Sequence, residues 1–538
     1  MSTVAVAGAP ARPGAGGAPR SWRRLVTSGP VLGIAALALW ELLARTVLSG
    51  TYALAAPSEI VREIADHAGL YLRNLRHTAW NAVQGFFWGN LIGVALAAVA
   101  VVVPPLRRVV YDVALTVSCL PLVAVAPILR VVLGRGESTP VALSALAVVF
   151  TTLTATLLGL GAASPSTLDV VRAGGRGRSF ALRAVRIPSA VPAMFAGFQI
   201  AAPAAFLGAL VGEFTGSSSG FGLLTIRALA TLQPARVWAV ALLSTLVATL
   251  AYWAMGRLSH RLTPWSATTA TAVADAGGSG RILTPLVRTV VSLVVVVVGW
   301  VVLLRWSGLN SYFAKGPGDV WRYLVSGTDA AAHRDVVFGA LRATLGTASA
   351  GFVIGLVGAL ALAAVLVAVP LLGRVLLPVA IALRSVPIVA TTPLLILVFG
   401  RGQVGSVVIV AVMSFFPTMV ACIVAMRRCP GQVEDVMRAY HANQWSVFTR
   451  ARLPACMPAL AASARIAVPA SILGATVAEW LATGRGMGNL MTVSANTAQY
   501  DTLWACVVVL TLAAVVAHGL VAAAESLVLG RFAPEQRA

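Results

Sequence analysis

Charge is what this sequence has least of. Of its 538 residues only 11% are Asp, Glu, Lys or Arg, whereas 58% are hydrophobic; an ordinary soluble domain is about 25% charged. A chain so poor in charge cannot cover a water-facing surface. That excludes a soluble enzyme, a nucleic-acid-binding module and a disordered protein, and leaves a polytopic helical membrane protein. Lysine is nearly missing: Lys315 is the only one, and Gly316 follows it. A phosphate-binding loop needs Gly-Lys-Ser/Thr, so the chain has no ordinary ATP site of its own and no cofactor is expected in it. Acids number 18 against 40 Lys plus Arg, so the net charge of +22 is almost all arginine. In a membrane protein such charge marks cytoplasmic loops rather than nucleic acid as a partner. The five cysteines (Cys119, Cys422, Cys429, Cys456 and Cys506) show no Cys-x-x-Cys spacing, and the six histidines form no His-Glu-x-x-His. Neither a disulfide framework nor a metal site is expected, and these residues are read as structural.

What is abundant is long apolar sequence. Twelve stretches, near 29–49, 80–103, 110–133, 140–162, 193–213, 237–257, 287–306, 343–369, 375–399, 403–426, 459–480 and 503–529, are each read as a helix crossing roughly 30 Å of hydrocarbon. The first follows Arg20, Arg23 and Arg24, in the manner of a signal peptide. Trp300, however, opens a matching internal stretch as Trp40 opens this one, so both are read as retained spans. With the N-terminus placed in the cytoplasm, most Lys and Arg fall on the cytoplasmic side, which predicts N-in and C-in.

The chain also repeats itself. At a constant offset of 266, Thr78 pairs with Thr344, Gly85 with Gly351, Gly89 with Gly355, Pro121 with Pro387, Pro127 with Pro393, Glu213 with Glu479 and Trp238 with Trp504. Six spans per repeat is an even number, so both halves enter from the same side, and a pseudo-two-fold axis along the membrane normal suits a path between them. The organisation read from this is a disordered tail over 1–28, a first half over 29–263, a Thr/Ala/Gly/Ser-rich linker over 264–286, a second half over 287–530 and a short tail over 531–538.

Between the fourth and fifth spans of each half stands a polar, patterned loop, DVVRAGGRGRSFALRAVRIP at 169–188 and DVMRAYHANQWSVFTRARLP at 435–454. Each opens on an acid suited to a helix N-terminus and closes on a proline suited to the first turn of the next helix. The expected structure is a short cytoplasmic helix followed by a basic turn. These loops resemble the EAA loop of binding-protein-dependent ABC importer permeases, whose pattern is E-A-A, three residues, G, nine residues, I, one residue, L-P. Asp169, Gly175, Val185 and Ile187-Pro188 match it in the first copy, and Asp435 and Leu453-Pro454 in the second. Both copies lack the Ala-Ala pair. The second has His441 in place of the glycine, so its helix is expected to differ in shape. Thr-x6-Gly-Phe-x2-Gly at 78–89 and 344–355, LRSVPIVATTPLLILVFGRG at 383–402 and AEWLATGRGMGNLM at 478–491 are similar to the nitrate/sulfonate/taurine branch of that family.

The resemblance implies a fused pair of type I permease halves in a cell membrane. It also implies an extracytoplasmic substrate-binding protein and two cytoplasmic ABC ATPase subunits that bind the ATP and magnesium. It places the ATPase contact at Asp169, Arg172, Ala173, Gly175 and Pro188 and at Asp435, Arg438, Ala439, His441 and Pro454. The substrate it suggests is a small anion or organic solute such as a sulfonate, nitrate or taurine. Other residues carry two readings each. Glu213 and Glu479 are either a gate facing the binding protein or hydrogen-bonded to the glycine turn beside them. Arg384 either attracts an anion or snorkels to the cytoplasmic face. Pro121, Pro127, Pro387 and Pro393 either open carbonyls to the pathway or make packed kinks. An ion-coupled secondary transporter can also have twelve helices in two parallel halves, but the duplicated loop favours the ABC permease. A membrane-embedded enzyme lacks any catalytic constellation here.

Overall fold

The computed structural model describes residues 29–46, 54–263, 294–369, 372 and 388–532, apart from positions 104, 105, 119, 121, 135, 303, 307, 309 and 430. The 1–28 tail, the 264–286 linker, most of the 531–538 tail, Pro121, Arg384 and Pro387 therefore lie outside the described residues. Among the described residues there is no strand, and eight helices are long and apolar enough to cross a membrane.

The first half runs α1 (Gly29–Arg45), α2 (Pro57–Asp66), α3 (Ala68–Val102), α4 (Leu106–Ser118), α5 (Leu122–Leu133), α6 (Ser138–Gly161), α7 (Pro165–Ala173), α8 (Ser179–Phe214), α9 (Phe221–Ala230) and α10 (Pro234–Leu262). The second repeats the order as α11 (Val294–Trp306), α12 (Pro317–Trp321), α13 (Ala330–Ala368), α14 (Ile388–Phe399), α15 (Gln403–Arg427), α16 (Gly431–Ala439), α17 (Gln444–Leu481), α18 (Gly486–Asn496) and α19 (Tyr500–Phe532). The described part of the second half contains no equivalent of α4. The offset of 266 carries the bounds of α5 onto α14 and of α7 onto α16 without remainder.

Two expectations need correcting. Among the described residues the stretch at 110–133 is not one helix but two short ones, α4 ending at Ser118 and α5 beginning at Leu122. Continuous hydropathy does not reveal a break, because a membrane helix and a broken one are equally apolar. The prolines closing the loops, Pro188 and Pro454, do not begin the next helix either. α8 and α17 start about ten residues earlier and pass through a wide π-turn, Leu182–Arg186 and Phe448–Arg452, just before the proline. There the Ile187 and Leu453 amides donate five residues back, to the Leu182 and Phe448 carbonyls. Proline has no N–H and crowds the preceding turn; widening that turn lets the helix continue through it.

Each half is built on a close helix crossing. α3 packs against α6, and α13 against α15, with glycine at the contact. A Cβ on Gly89 would sit 2.6 Å from the Ala145 carbonyl oxygen, and one on Gly355 would sit 2.6 Å from that of Ala411. Small residues at these points let the backbones approach, the usual device where lipid tails offer no hydrophobic drive for association. The opening helices dock by tryptophan. Trp40 of α1 lies 5.1 Å from Trp238 of α10, and Trp300 of α11 stacks 5.3 Å from Trp504 of α19. The Trp40 indole donates to the Ala55 carbonyl at 3.1 Å and that of Trp504 to the Phe313 carbonyl at 2.9 Å.

The halves join by exchanging their short helices. α5 packs on α17, α18 and α19 of the second half, while α14 packs on α8 and α10 of the first. Ile128 of α5 is buried in the second half's core, and its register partner Leu394 of α14 is buried among Ala228, Val237 and Ala241 of the first. Phe214, at the end of α8, meets Trp480 at 5.4 Å. These two are register partners, and a residue that touches its own equivalent lies on the pseudo-two-fold axis. Since α8 and α17 are both long and apolar enough to cross a bilayer and meet at their ends, their beginnings, with α7 and α16, fall on the opposite side.

Filling a crossing costs packing. Gly89→Val and Gly355→Val are each expected to destabilise the protein by about 1–3 kcal/mol, read as a lower thermal midpoint in detergent. A midpoint unchanged in both would show that the crossings tolerate a side chain.

Candidate functional site: two coupling loops and two buried carboxylates

The two loops share a backbone plan. α7 ends with the Gly175 amide donating to the Arg172 carbonyl at 2.9 Å and the Arg176 amide to Val171 at 3.2 Å. α16 ends with His441 donating to Arg438 at 2.9 Å and Ala442 to Met437 at 3.0 Å. This is the Schellman stop in both copies, with a left-handed residue just past the helix. Gly175 has φ +68° and His441 φ +55°. The expected difference in shape at His441 is therefore absent. Histidine tolerates the left-handed region better than most side chains, and two backbone hydrogen bonds hold it there.

Side chains separate the copies. In α7, Asp169 and Arg172 are exposed and pair with each other at 2.9 Å, and exposed Ala173 closes the helix. In α16, Asp435, Arg438 and Ala439 are exposed, and the holding group is Glu434. Its carboxylate accepts from Arg452 Nε at 2.7 Å and from its Nη2 at 3.0 Å, and Arg438 lies 3.6 Å away. That bidentate pair ties α16 to the start of α17. The guanidinium of Arg452 holds the Glu434 carboxyl below the ordinary range. Asn443 caps α17 by accepting the Ser446 amide at 2.7 Å. The first half has Leu168 and Gly177 at these positions. Pro188 is exposed and Pro454 half-buried, both inside their helices.

On the face opposite the loops the copies match closely. Glu213 has 0% of its surface exposed. It accepts from the Thr78 hydroxyl and the Gly222 amide, both at 2.9 Å, while Thr78 itself accepts the Phe221 amide at 2.9 Å. Glu479 accepts from Thr344 at 2.8 Å and the Gly488 amide at 3.0 Å, and Thr344 accepts the Met487 amide at 2.8 Å. All four groups repeat at the offset of 266. Each latch thus fastens the end of one spanning helix to the first turn of the next short helix and to α3 or α13. The turn residues Gly220 (φ +116°) and Gly486 (φ +86°) lie so close that a Cβ on either would overlap the carboxylate. Of the two readings open for these acids, this geometry is the bond to the glycine turn. It stands directly beside Phe214 and Trp480.

The first latch carries an addition. His77 places Nε2 2.9 Å from Glu137 Oε1 and Nδ1 3.6 Å from Glu213 Oε1, and Asn81 donates to Glu137 at 2.8 Å. The second half has Ala343, Gln403 and Thr347 at those positions. Pro127 and Pro393 sit inside α5 and α14, at the seam between the halves. Arg465, a charge within a span, pairs with Glu525 at 3.1 Å. Sequence reasoning missed Thr78 and Thr344 as donors, although their pairing was visible in the repeat. It also missed His77 and the Glu434–Arg452 pair, whose members stand 18 residues apart.

Glu213→Ala and Glu479→Ala each orphan two buried donors, at about 1–3 kcal/mol per group. Both are expected to lower the thermal midpoint, whereas exposed Asp435→Asn leaves it within about 0.5 kcal/mol; equal midpoints for all three would refute the latch. The depressed carboxyl of Glu434 stabilises the second loop above its unfolded pKa, and that contribution disappears as pH falls through the lower native value. Hydrogen-exchange protection across 431–447, taken relative to the intrinsic exchange rate at each pH, should therefore fall as pH drops below the ordinary carboxylate range, and Arg452→Gln should remove most of that pH dependence. An unaltered pH response in Arg452→Gln would contradict the pair.

Comparison with known proteins follows the same division. The family model for the binding-protein-dependent transport system inner membrane component matches twice, over residues 89–264 and 351–529. A probable ABC transporter permease of Haemophilus influenzae is 28% identical over 230 residues, 43% of this chain and 90% of the relative. A riboflavin transport system permease of Chloroflexus aurantiacus is 27% identical over 233 residues, 43% of this chain and 83% of the relative. A putative aliphatic sulfonates transport permease of Bacillus subtilis is 27% identical over 127 residues, 24% of this chain and 46% of the relative. With the family model matched in both halves of an internally repeated chain that is helical, without a strand, among the described residues, the protein belongs to the binding-protein-dependent ABC transporter permeases and carries two such domains in one chain.

Proposed function

We propose that this chain is the complete membrane subunit of an ATP-driven importer, supplying both walls of the substrate path and coupling through α7 and α16 to two cytoplasmic ATPase subunits. The observation that carries the reading is the pair of loops: two short, exposed helices on one face, each closed by the same Schellman turn and related by the offset that relates the whole halves. Their basic character favours the cytoplasm for that face and for both termini. ATP and magnesium belong to the ATPases, since the sole lysine lies in no phosphate-binding loop.

On the other face Phe214 and Trp480 meet at the axis, which corresponds to a path closed toward the binding protein. The latches beside them fix the helix ends that have to separate for substrate to enter. Glu213 and Glu479 thereby act in the gate as its fastenings, not as groups that touch substrate. Pro127 and Pro393 sit in the short helices that the halves exchange, where a rotation of one half moves the other. The substrate class implied by the sulfonate relative is a small organic anion. The riboflavin relative shows how far cargo varies in this family, and selection by the binding protein accounts for that spread.

Reconstituting the chain in vesicles, with and without its ATPase subunits, tests the reading. Uptake that needs both ATPase and ATP is expected. Uptake that continues without ATPase, driven by an ion gradient, would replace it with secondary transport.

A further inference from the structure

The two loops share one backbone but present different chemistry. Between 165 and 186 the first has one acid and five arginines; between 431 and 452 the second has two acids and three. Arg176 and Arg183 are exposed, with no carboxylate partner among the described residues. At three register positions the first loop has Thr167, Gly174 and Ser179 where the second has Val433, Tyr440 and Trp445. Tyr440 is 84% exposed and Trp445 68%, and Val433 and Val436 of α16 are exposed as well. Large apolar groups left uncovered on an otherwise polar face mark a contact surface. Tryptophan and tyrosine are the side chains that most often dominate such contacts.

Rigidity follows the same division. The second loop is fixed before any partner arrives, by the Asn443 cap, by Glu434 on Arg452 and by Trp445 stacked 5.8 Å from Phe448. The first turns through Gly174, Gly175 and Gly177 with backbone bonds, the Asp169–Arg172 pair and Arg176 resting 4.8 Å over the exposed Phe180 ring, and has no counterpart of the Asn443 cap or the Glu434–Arg452 tie. A preformed surface loses less freedom on binding than a glycine-rich one.

We infer that the two coupling loops are specialised in different ways. The second is an aromatic anchor that binds its ATPase subunit through apolar surface, and the first is an electrostatic contact that binds its own through acidic surface. This rests on the permease reading above. The anchor's contact is short-range and indifferent to salt; the arginine contact fades as ionic strength rises. The shared valines Val170 and Val436 give both loops a common footing, so the division is one of strength and kind, not of position.

The test uses the full chain in nanodiscs and the ABC ATPase subunit that co-purifies with it from its own membrane, with dissociation constants measured at about 0.05 and about 0.5 M salt. Tyr440→Ala/Trp445→Ala is expected to weaken binding at least about tenfold at both concentrations. Arg176→Gln/Arg183→Gln is expected to weaken it severalfold at low salt and hardly at high salt. Tyr440→Phe/Trp445→Phe, which keeps the aromatic surface, should bind as the parent does and so separates a lost contact from a misfolded loop. Equal, salt-sensitive losses for both pairs would overturn the division. So would unchanged ATPase binding by Tyr440→Ala/Trp445→Ala, which would assign the aromatic pair to the lipid surface. A parent chain that binds no ATPase at all would instead remove the permease reading itself.

Discussion

A carboxylate buried at the end of a helix that crosses lipid has to find its hydrogen bonds inside the protein. That constraint organises the face opposite the coupling loops. Glu213 and Glu479 each take a hydroxyl and an amide at 2.8–3.0 Å, which fixes Thr78 and Thr344 on the neighbouring long helix. It requires glycine at 220 and 486, because only a residue without Cβ fits over the carboxylate at positive φ. It also orients the chain so that the next residue along, Phe214 or Trp480, points to the axis. One acid per half thus joins three helices and sets the contact at which the halves meet. Since an unpaired buried carboxylate is far costlier than a paired one is favourable, the latch is all-or-none, as a gate fastening has to be.

The two halves share one frame and differ in what is attached to it. Both latches have all four groups, and the Schellman stop forms with glycine in one half and histidine in the other. Around these fixed points the halves went separate ways. His77 and Glu137 stand beside the first latch and not the second. Glu434 and Arg452 brace the second loop and not the first. Backbone hydrogen-bonding needs are common to both copies and admit few alternatives, whereas an exposed side chain is free to follow its own partner.

Much of this was legible in the sequence. Hydropathy located the long helices, and the fixed offset revealed the two halves and paired Thr78 with Thr344 and Glu213 with Glu479. The loops announced themselves by being polar where lipid was expected on either side. Three things stayed hidden for physical reasons. The interruption near residue 120 is invisible because apolar side chains suit a continuous and a broken membrane helix alike. The roles of Thr78 and Thr344 are invisible because a helical threonine ordinarily bonds its own backbone, and only tertiary placement supplies a carboxylate. The early start of α8 and α17 is invisible because proline normally signals a helix beginning, and nothing local to Pro188 tells of the π-turn that absorbs it.

Everything proposed for this chain depends on its being a whole permease, with both halves and both motor contacts. Native mass spectrometry of the assembled transporter measures this directly. One copy of this chain with two ATPase subunits is the expected composition. Two copies of this chain in the complex, or one copy holding a single ATPase subunit at saturation, would contradict it.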